Sequence, residues 1–181
     1  RAMQFLSVQK PPVVFRDLKP ANIMIDRDGR VKLIDFGIAR YFKEGRTEDT
    51  YIYGTPGYAA PEQYGTGQTD IRSDIYSLGA TLHHCLTGRD PARSGAGFPD
   101  PMLLNPKLNR GTAKILRKAL EQDPERRYQT ALDMKQAVQS VLMNIESLPK
   151  GVESVIHAEA GKPITLPWRG KTSWVSVPLH P

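Results

Sequence analysis

From residue 73 onward, apolar positions recur three to four residues apart in three separate stretches. In Ser73–Leu86 they are Ile75, Leu78, Leu82 and Leu86, behind an Asp/Ser start and ahead of Gly88. In Thr112–Leu120 they are Ala113, Leu116, Ala119 and Leu120. In Thr130–Ile145 they are Leu132, Met134, Ala137, Val138, Val141 and Leu142, with Thr130 and Asp133 spaced as a capping box. Such spacing lines one face of a helix with apolar side chains, so it predicts three amphipathic helices. Ala2–Val8, with Met3, Phe5, Leu6 and Val8, reads as the end of a further helix that Pro11-Pro12 stops.

Between these stretches the period changes. Val13-Val14-Phe15 is a short buried strand-like run, and Ile23–Ile25 and Val31–Ile34 are two short strands. Asp26-Arg27-Asp28-Gly29 joins the latter two as a hairpin turn, with Gly29 supplying the positive φ. Residues 38–60 are polar, Gly-containing and too long for a passive connection. Residues 89–109 read as loop, with prolines at 91, 99, 101 and 106. Residues 1–146 are therefore predicted to form one mainly helical unit with a small hairpin. Residues 147–181 change character: Pro149, Pro163, Pro167, Pro178 and Pro181 punctuate short alternating runs. They suit a linker, an edge strand or a tail.

The chain has 181 residues, 39% of them hydrophobic and 24% charged, which suits a folded unit with a real core. Its formal net charge is +6. The basic residues are scattered rather than clustered, so no nucleic-acid partner is expected. No stretch approaches the ~20 apolar residues of a membrane span. The single cysteine, Cys85, cannot form an internal disulfide, which fits a reducing compartment, and its apolar helical setting predicts a buried, inert thiol.

The chemistry-bearing residues fall in three strings: Phe15-Arg16-Asp17-Leu18-Lys19-Pro20-Ala21-Asn22, then Asp35-Phe36-Gly37, then Gly54-Thr55-Pro56-Gly57-Tyr58 with Ala60-Pro61-Glu62. An isolated Asp or Asn in such a loop commonly just braces it through side-chain hydrogen bonds. All three strings, in this order and at this spacing, resemble the catalytic loop, metal-binding turn and substrate-binding segment of a protein kinase. Lys19 and Thr55 resemble the serine/threonine class. Gly57–Tyr64 and Ser77–Leu82 look like bacterial-type (eukaryotic-like) serine/threonine kinases.

The resemblance covers residues 1–146 and only the larger lobe. The implied fold is therefore mainly α: the C-terminal lobe of the protein-kinase-like fold, with a small β-hairpin carrying the catalytic loop. The N-terminal lobe is absent, since no Gly-rich phosphate loop or strand lysine is found. That lobe is expected elsewhere in a longer protein, and this chain alone is expected to be a poor catalyst.

The resemblance implies ATP and Mg²⁺ as cofactors and protein Ser/Thr hydroxyls as substrates. Asp17 takes the catalytic-base position, and Lys19 the place beside the γ-phosphate. Asn22 and Asp35 take the metal positions, and Met24 a place under the adenine ring, although a strand Met is commonly plain core. Arg16 is the residue that pairs with a phosphorylated activation segment. Thr50 and Thr47 are the candidates, and both could equally be ordinary solvated loop residues. Thr55 is expected to bond Asp17 and Lys19. Phe15 stands where the family usually has His, and it is expected to pack against Phe36, next to Gly37. Asp74 is expected to accept backbone bonds from the catalytic loop, and Glu62 to form a buried ion pair with Arg127. A cytoplasmic location and a homodimer formed for autophosphorylation accompany this reading. The competing reading is a non-catalytic lobe that docks proteins through residues 54–64 and 89–109; a small-molecule phosphotransferase fits less well, because such enzymes generally lack the Thr-Pro-Gly-Tyr and Ala-Pro-Glu strings.

Overall fold

The computed structural model describes residues 2–42, 54–65, 67–93, 95 and 97–146. Thr47, Thr50 and the stretch 147–181 lie outside them. The described part is rich in helix, with four very short strands: α1 (Ala2–Ser7), β1 (Val13–Val14), β2 (Ile23–Ile25), β3 (Val31–Leu33), β4 (Arg40–Tyr41), α2 (Ile71–Thr87), α3 (Pro101–Leu104), α4 (Arg110–Ala119) and α5 (Ala131–Glu146).

The predicted hairpin is present. β2 and β3 run antiparallel with Ile23 opposite Leu33 and Ile25 opposite Val31. Gly29 takes φ +74°, and the Asp26 carboxylate accepts from the backbone N–H of Asp28 and of Arg30. The turn is thus held by its own first residue, as Asp does in Asx turns. β1 pairs antiparallel with β4, Val13 opposite Tyr41 and Val14 opposite Arg40. Phe15 leaves the strand at once, although it is buried. The β4 partner lies in what reads from sequence as polar loop; two residues are too few to show a period.

α2 is the central element, packed against α4 and α5. It begins two residues before the predicted start. The Asp70 carboxylate caps the N–H of Arg72, and the Ser73 hydroxyl accepts in return from the Asp70 N–H. Ser73 therefore sits three residues inside the cap, completing a reciprocal box. Similarly, Asn109 caps α4 and moves its start to Arg110. At α5, Thr130 and Asp133 exchange the predicted pair of bonds. α3 lies within the stretch that reads as loop: Asp100 caps the Met102 N–H and Pro101 occupies the first helical position, where a missing N–H costs nothing.

The core gathers Phe15, Leu18, Ile75, Ile115, Ala119, Tyr128 and Met134, with Leu78, Leu82, Val138 and Val141 packed around them. The stripe predicted for α5 is narrower than its sequence suggests, because Leu132 and Leu142 face outward. Cys85 is half-buried rather than buried, and that burial raises its thiol above the usual value.

Candidate active site

The segment between β1 and β2 is clamped from α2. Asp74, fully buried near the start of that helix, accepts the Phe15 N–H at one oxygen and the Arg16 N–H at the other, both at 2.8 Å. Full burial pushes the Asp74 carboxyl up to about 7 against the pull of those two N–H groups. The bonds hold Arg16 at φ +70°, a left-handed conformation costly for a side-chain-bearing residue. Gln63 donates to the Arg16 carbonyl at 2.8 Å, and Thr81 to the Leu18 carbonyl at 3.3 Å. Gln63 and Thr81 lie within the strings Gly57–Tyr64 and Ser77–Leu82 that carry the bacterial resemblance, but the sequence assigns neither of them a role in holding the loop.

Within this rigid loop three side chains converge on Asp17. Lys19 Nζ donates to Oδ2 at 2.8 Å, and Asn22 Nδ2 to the same oxygen at 2.9 Å. The Thr55 hydroxyl donates to Oδ1 at 2.6 Å and accepts from Lys19 Nζ at 2.7 Å. Thr55 lies 38 residues away in sequence, so the contact unites two of the three strings. Burial alone would raise the Asp17 carboxyl. The Lys19 and Thr55 hydrogen bonds, the Lys19 charge and the Asn22 amide outweigh it and hold the group below the usual carboxylate value. At neutral pH Asp17 is an anion, able to accept a hydrogen bond and then a proton from an incoming hydroxyl, with a cation fixed beside it.

Asn22 ends a 3-10 turn, Pro20–Asn22, and its carbonyl accepts from the Ile34 N–H at 2.9 Å. That bond sets it across from Ile34, the residue before Asp35. Its amide nitrogen also donates to the Asp17 carbonyl, at 2.8 Å, so the oxygen end of the amide is the one left for a cation. Asp35 is exposed, takes φ +63°, and accepts the Gly37 N–H at 3.1 Å. An amide oxygen and a carboxylate are hard donors of the kind Mg²⁺ prefers, and they leave most of its octahedral shell to phosphate and water. Among the described residues no group of three His, Cys, Asp or Glu side chains could hold a metal by itself. The donor set therefore fits a cation arriving with a phosphate ligand. Phe36 meets Phe15 edge-on, with centroids 4.9 Å apart. Met24 is half exposed on β2.

The third string forms a platform. Its turn closes through the Tyr58 and Ala59 N–H groups, both donating to the Thr55 carbonyl at 3.0 Å. Gly57, at φ +84°, lies flush on Pro91 and Ala92; a Cβ there would stand 2.5 Å from the Pro91 carbonyl carbon. Behind the platform Glu62 and Arg127, 65 residues apart, form a two-pronged pair at 2.7 and 2.9 Å. Arg127 also donates to the carbonyls of Arg72, Glu121 and Gln122, so all five of its N–H groups are bonded. Burial would raise the Glu62 carboxyl, but Arg127 and the Ser73 hydroxyl hold it low. The Tyr58 hydroxyl reaches His84 and Asp90, a contact that no motif announces.

The arrangement can be compared with known proteins. The family model described as protein kinase domain matches residues 1–143. A probable serine/threonine-protein kinase of Streptomyces coelicolor is 35% identical over 162 residues, covering 82% of this chain and 24% of that protein. The serine/threonine-protein kinase PknB of Mycobacterium tuberculosis is 36% identical over 137 residues, covering 68% of this chain and 22% of PknB. PknH of Mycobacterium bovis is 33% identical over 142 residues, covering 72% and 24%. The chain thus spans about a quarter of the length of the curated relatives it matches.

Proposed function

The chain belongs to the protein kinase domain family, and from that membership we propose that it is the C-terminal lobe of a bacterial-type serine/threonine protein kinase, transferring the γ-phosphate of ATP to Ser or Thr hydroxyls of proteins. The observation that carries the reading is the convergence of three side chains, Lys19, Asn22 and Thr55, on the Asp17 carboxylate. Phosphoryl transfer is catalysed mainly by positioning and charge neutralisation, and these residues supply both.

Asp17 orients the substrate hydroxyl and takes its proton as the hydroxyl oxygen bonds the γ-phosphorus and the bond from that phosphorus to the bridging oxygen breaks, releasing ADP. Lys19, held between Asp17 and Thr55, faces the charge that develops on the transferred group. Thr55 fixes both partners from the platform on which the substrate chain rests. Asn22 Oδ1 and the Asp35 carboxylate would hold Mg²⁺, and the magnesium complex of ATP supplies the phosphoryl group with its charge partly neutralised. Met24, exposed by half, is assigned to the adenine face. Arg16 is assigned to a phosphate on the activation segment, at Thr50 or Thr47.

We assign residues 1–146 to this lobe and 147–181 to a linker, a tail or the start of another domain. The Gly-rich loop and the strand lysine that grip the phosphates are assigned to a further segment of the protein. The exposed apolar side chains of Met24, Ile25, Val31 and Phe36 support a covering partner of that kind. Among the described residues no helix is long and apolar enough to cross a membrane. Cytoplasmic placement of this portion and autophosphorylation between two copies belong to the same reading.

The test is the Mg²⁺ dependence of phosphate transfer to a protein substrate, measured on the protein that carries this chain. Asn22→Ala and Asp35→Ala are expected to raise the Mg²⁺ needed for half-maximal rate and to lower the rate itself. Undiminished transfer by Asp35→Ala at limiting Mg²⁺ would sink the proposal.

A further inference from the structure

The platform is anchored to α2 through a hydrogen-bond relay that can change its direction. The Tyr58 hydroxyl lies 2.6 Å from His84 Nδ1 and 3.4 Å from Asp90 Oδ1. Both Tyr58 and His84 are buried. With His84 neutral and its proton on Nε2, Nδ1 accepts from the hydroxyl, and Asp90 stands at the far edge of hydrogen-bond range. One proton added at Nδ1 turns that nitrogen into a donor toward the Tyr58 oxygen. The hydroxyl hydrogen must then point to Asp90, and a good bond needs the two groups to close by about half an ångström. Asp90 Oδ1 also accepts the Ala92 N–H at 3.0 Å, so the redirected hydroxyl joins an oxygen already held by the backbone, and one proton enters from solvent.

The surroundings allow this relay. The loop after α2 contributes Asp90, which is ion-paired with Arg93 at 3.4 Å, and Arg89. From α2 itself come His83 and Cys85. His83 faces away, its Nε2 on the Pro99 carbonyl, and its burial holds it below the usual imidazole value, so it adds little positive charge. The Cys85 thiol is held protonated by its burial. The platform contributes Tyr58, whose hydroxyl is kept protonated first by burial and then by the Asp90 charge. Asp90 is thus the carboxylate placed to receive the redirected hydroxyl.

A movement at Tyr58 does not stay local. Its N–H and that of Ala59 close the turn on Thr55, Gly57 lies flush on the backbone next to Asp90, and the Thr55 hydroxyl is bonded to Asp17 and Lys19. We propose that His84 is a proton-sensing positioning residue: its protonation redirects the Tyr58 hydroxyl hydrogen from His84 to Asp90, draws those two groups together, shifts the Thr55–Tyr58 turn, and weakens the hold on protein substrates. The role rests on the phosphotransfer reading for its purpose, but its coupling can be read without any phosphate transfer.

The experiment is an NMR pH titration of the 181-residue chain from about pH 5 to 8, the range in which histidine changes charge. It follows the His84 ring and the amides of Thr55, Gly57, Tyr58 and Ala59 together. The expected result is one shared midpoint for ring and platform, with the platform response lost in Tyr58→Phe and in His84→Gln. Platform amides that stay fixed while His84 titrates overturn the proposal. So does a His84 ring that keeps one charge state throughout, or a response that persists in Tyr58→Phe. If His84→Gln does not fold, Tyr58→Phe alone decides. In the kinase assay, KM for the protein substrate should rise at acid pH in the wild type, and this rise should be lost in His84→Gln. Coupling by NMR in a protein that transfers no phosphate at any pH would leave the relay standing and refute the proposed reaction instead.

Discussion

Replacing Arg127 by Met removes one half of a buried pair while keeping much of the side-chain volume. Glu62 would then keep the Ser73 hydroxyl, which donates at 2.7 Å, and its own backbone N–H. The lost attraction is about 4 kcal/mol for unit charges some 4 Å apart at an effective dielectric near 20. Leaving a buried charge without its partner costs about 3–5 kcal/mol in all. For a domain of this size that lowers the melting temperature by roughly 6–20 °C. The cost depends on pH. In the wild type Glu62 is held low, so its stabilisation is complete above the ordinary value of 4.5 and fades only as pH falls below it. In Arg127→Met burial, the largest influence on this group, is opposed only by the Ser73 hydroxyl and a backbone N–H and raises the Glu62 carboxyl, so the folded variant takes up a proton as pH falls from 7 to 5. The difference between the two proteins should therefore shrink by about 1–2 kcal/mol over that interval. Urea unfolding of both proteins at the two pH values measures it. A cost under about 1 kcal/mol at pH 7, or one that grows on acidification, would refute the reasoning.

Asp74→Asn removes a carboxyl held up to about 7, which the folded state protonates more readily than the unfolded chain does. Wild-type stability from this group is present below about pH 4 and is lost as pH rises through 7, so the wild-type urea midpoint should fall over pH 5–7 more steeply than the variant's; parallel lines would refute the assignment. The same variant leaves one of the Phe15 and Arg16 N–H groups without an acceptor, at a cost of about 1–3 kcal/mol at pH 5. Thr55→Val removes the hydroxyl between Asp17 and Lys19 and should lower the turnover rate about 10–100-fold, while Thr55→Ser retains most of it; equal rates for Val and Ser would show the hydroxyl to be idle. Gly79→Ala would put a Cβ 2.9 Å from that of Ala119 where α2 meets α4, and should destabilise by about 1–3 kcal/mol in thermal unfolding, with no change predicted for an Ala at exposed Gly29's neighbour Arg30.

The loop strings were legible because their geometry depends on residue identity at short range: Asp17, Lys19 and Asn22 lie within six residues, and only Thr55 must be brought from afar. Glu62 with Arg127 and Asp74 with the loop backbone were readable through the family pattern, not through spacing. The misread parts have separate physical causes. The start of α2 moved to Ile71 because Asp70 outcompetes Ser73 for the cap. β1 and β4 are too short for alternation to register. Pro101 marks the opening of α3 rather than a loop, because a first-turn proline loses no hydrogen bond. Leu132 and Leu142 fit the α5 period yet face solvent, since periodicity locates a stripe but not its width. The Tyr58–His84–Asp90 relay depends on how the platform settles onto α2, which no local pattern encodes.

The central claim is that Asp17 is the base of a phosphoryl transfer to Ser or Thr. It is tested most directly by single-turnover transfer from γ-labelled ATP to a protein substrate, comparing wild type with Asp17→Ala and Asp17→Asn in the protein that carries this chain, after checking that the variants fold. The account predicts label on Ser or Thr and a loss of at least about 100-fold in rate for both variants. Rates within a few-fold of wild type would contradict it.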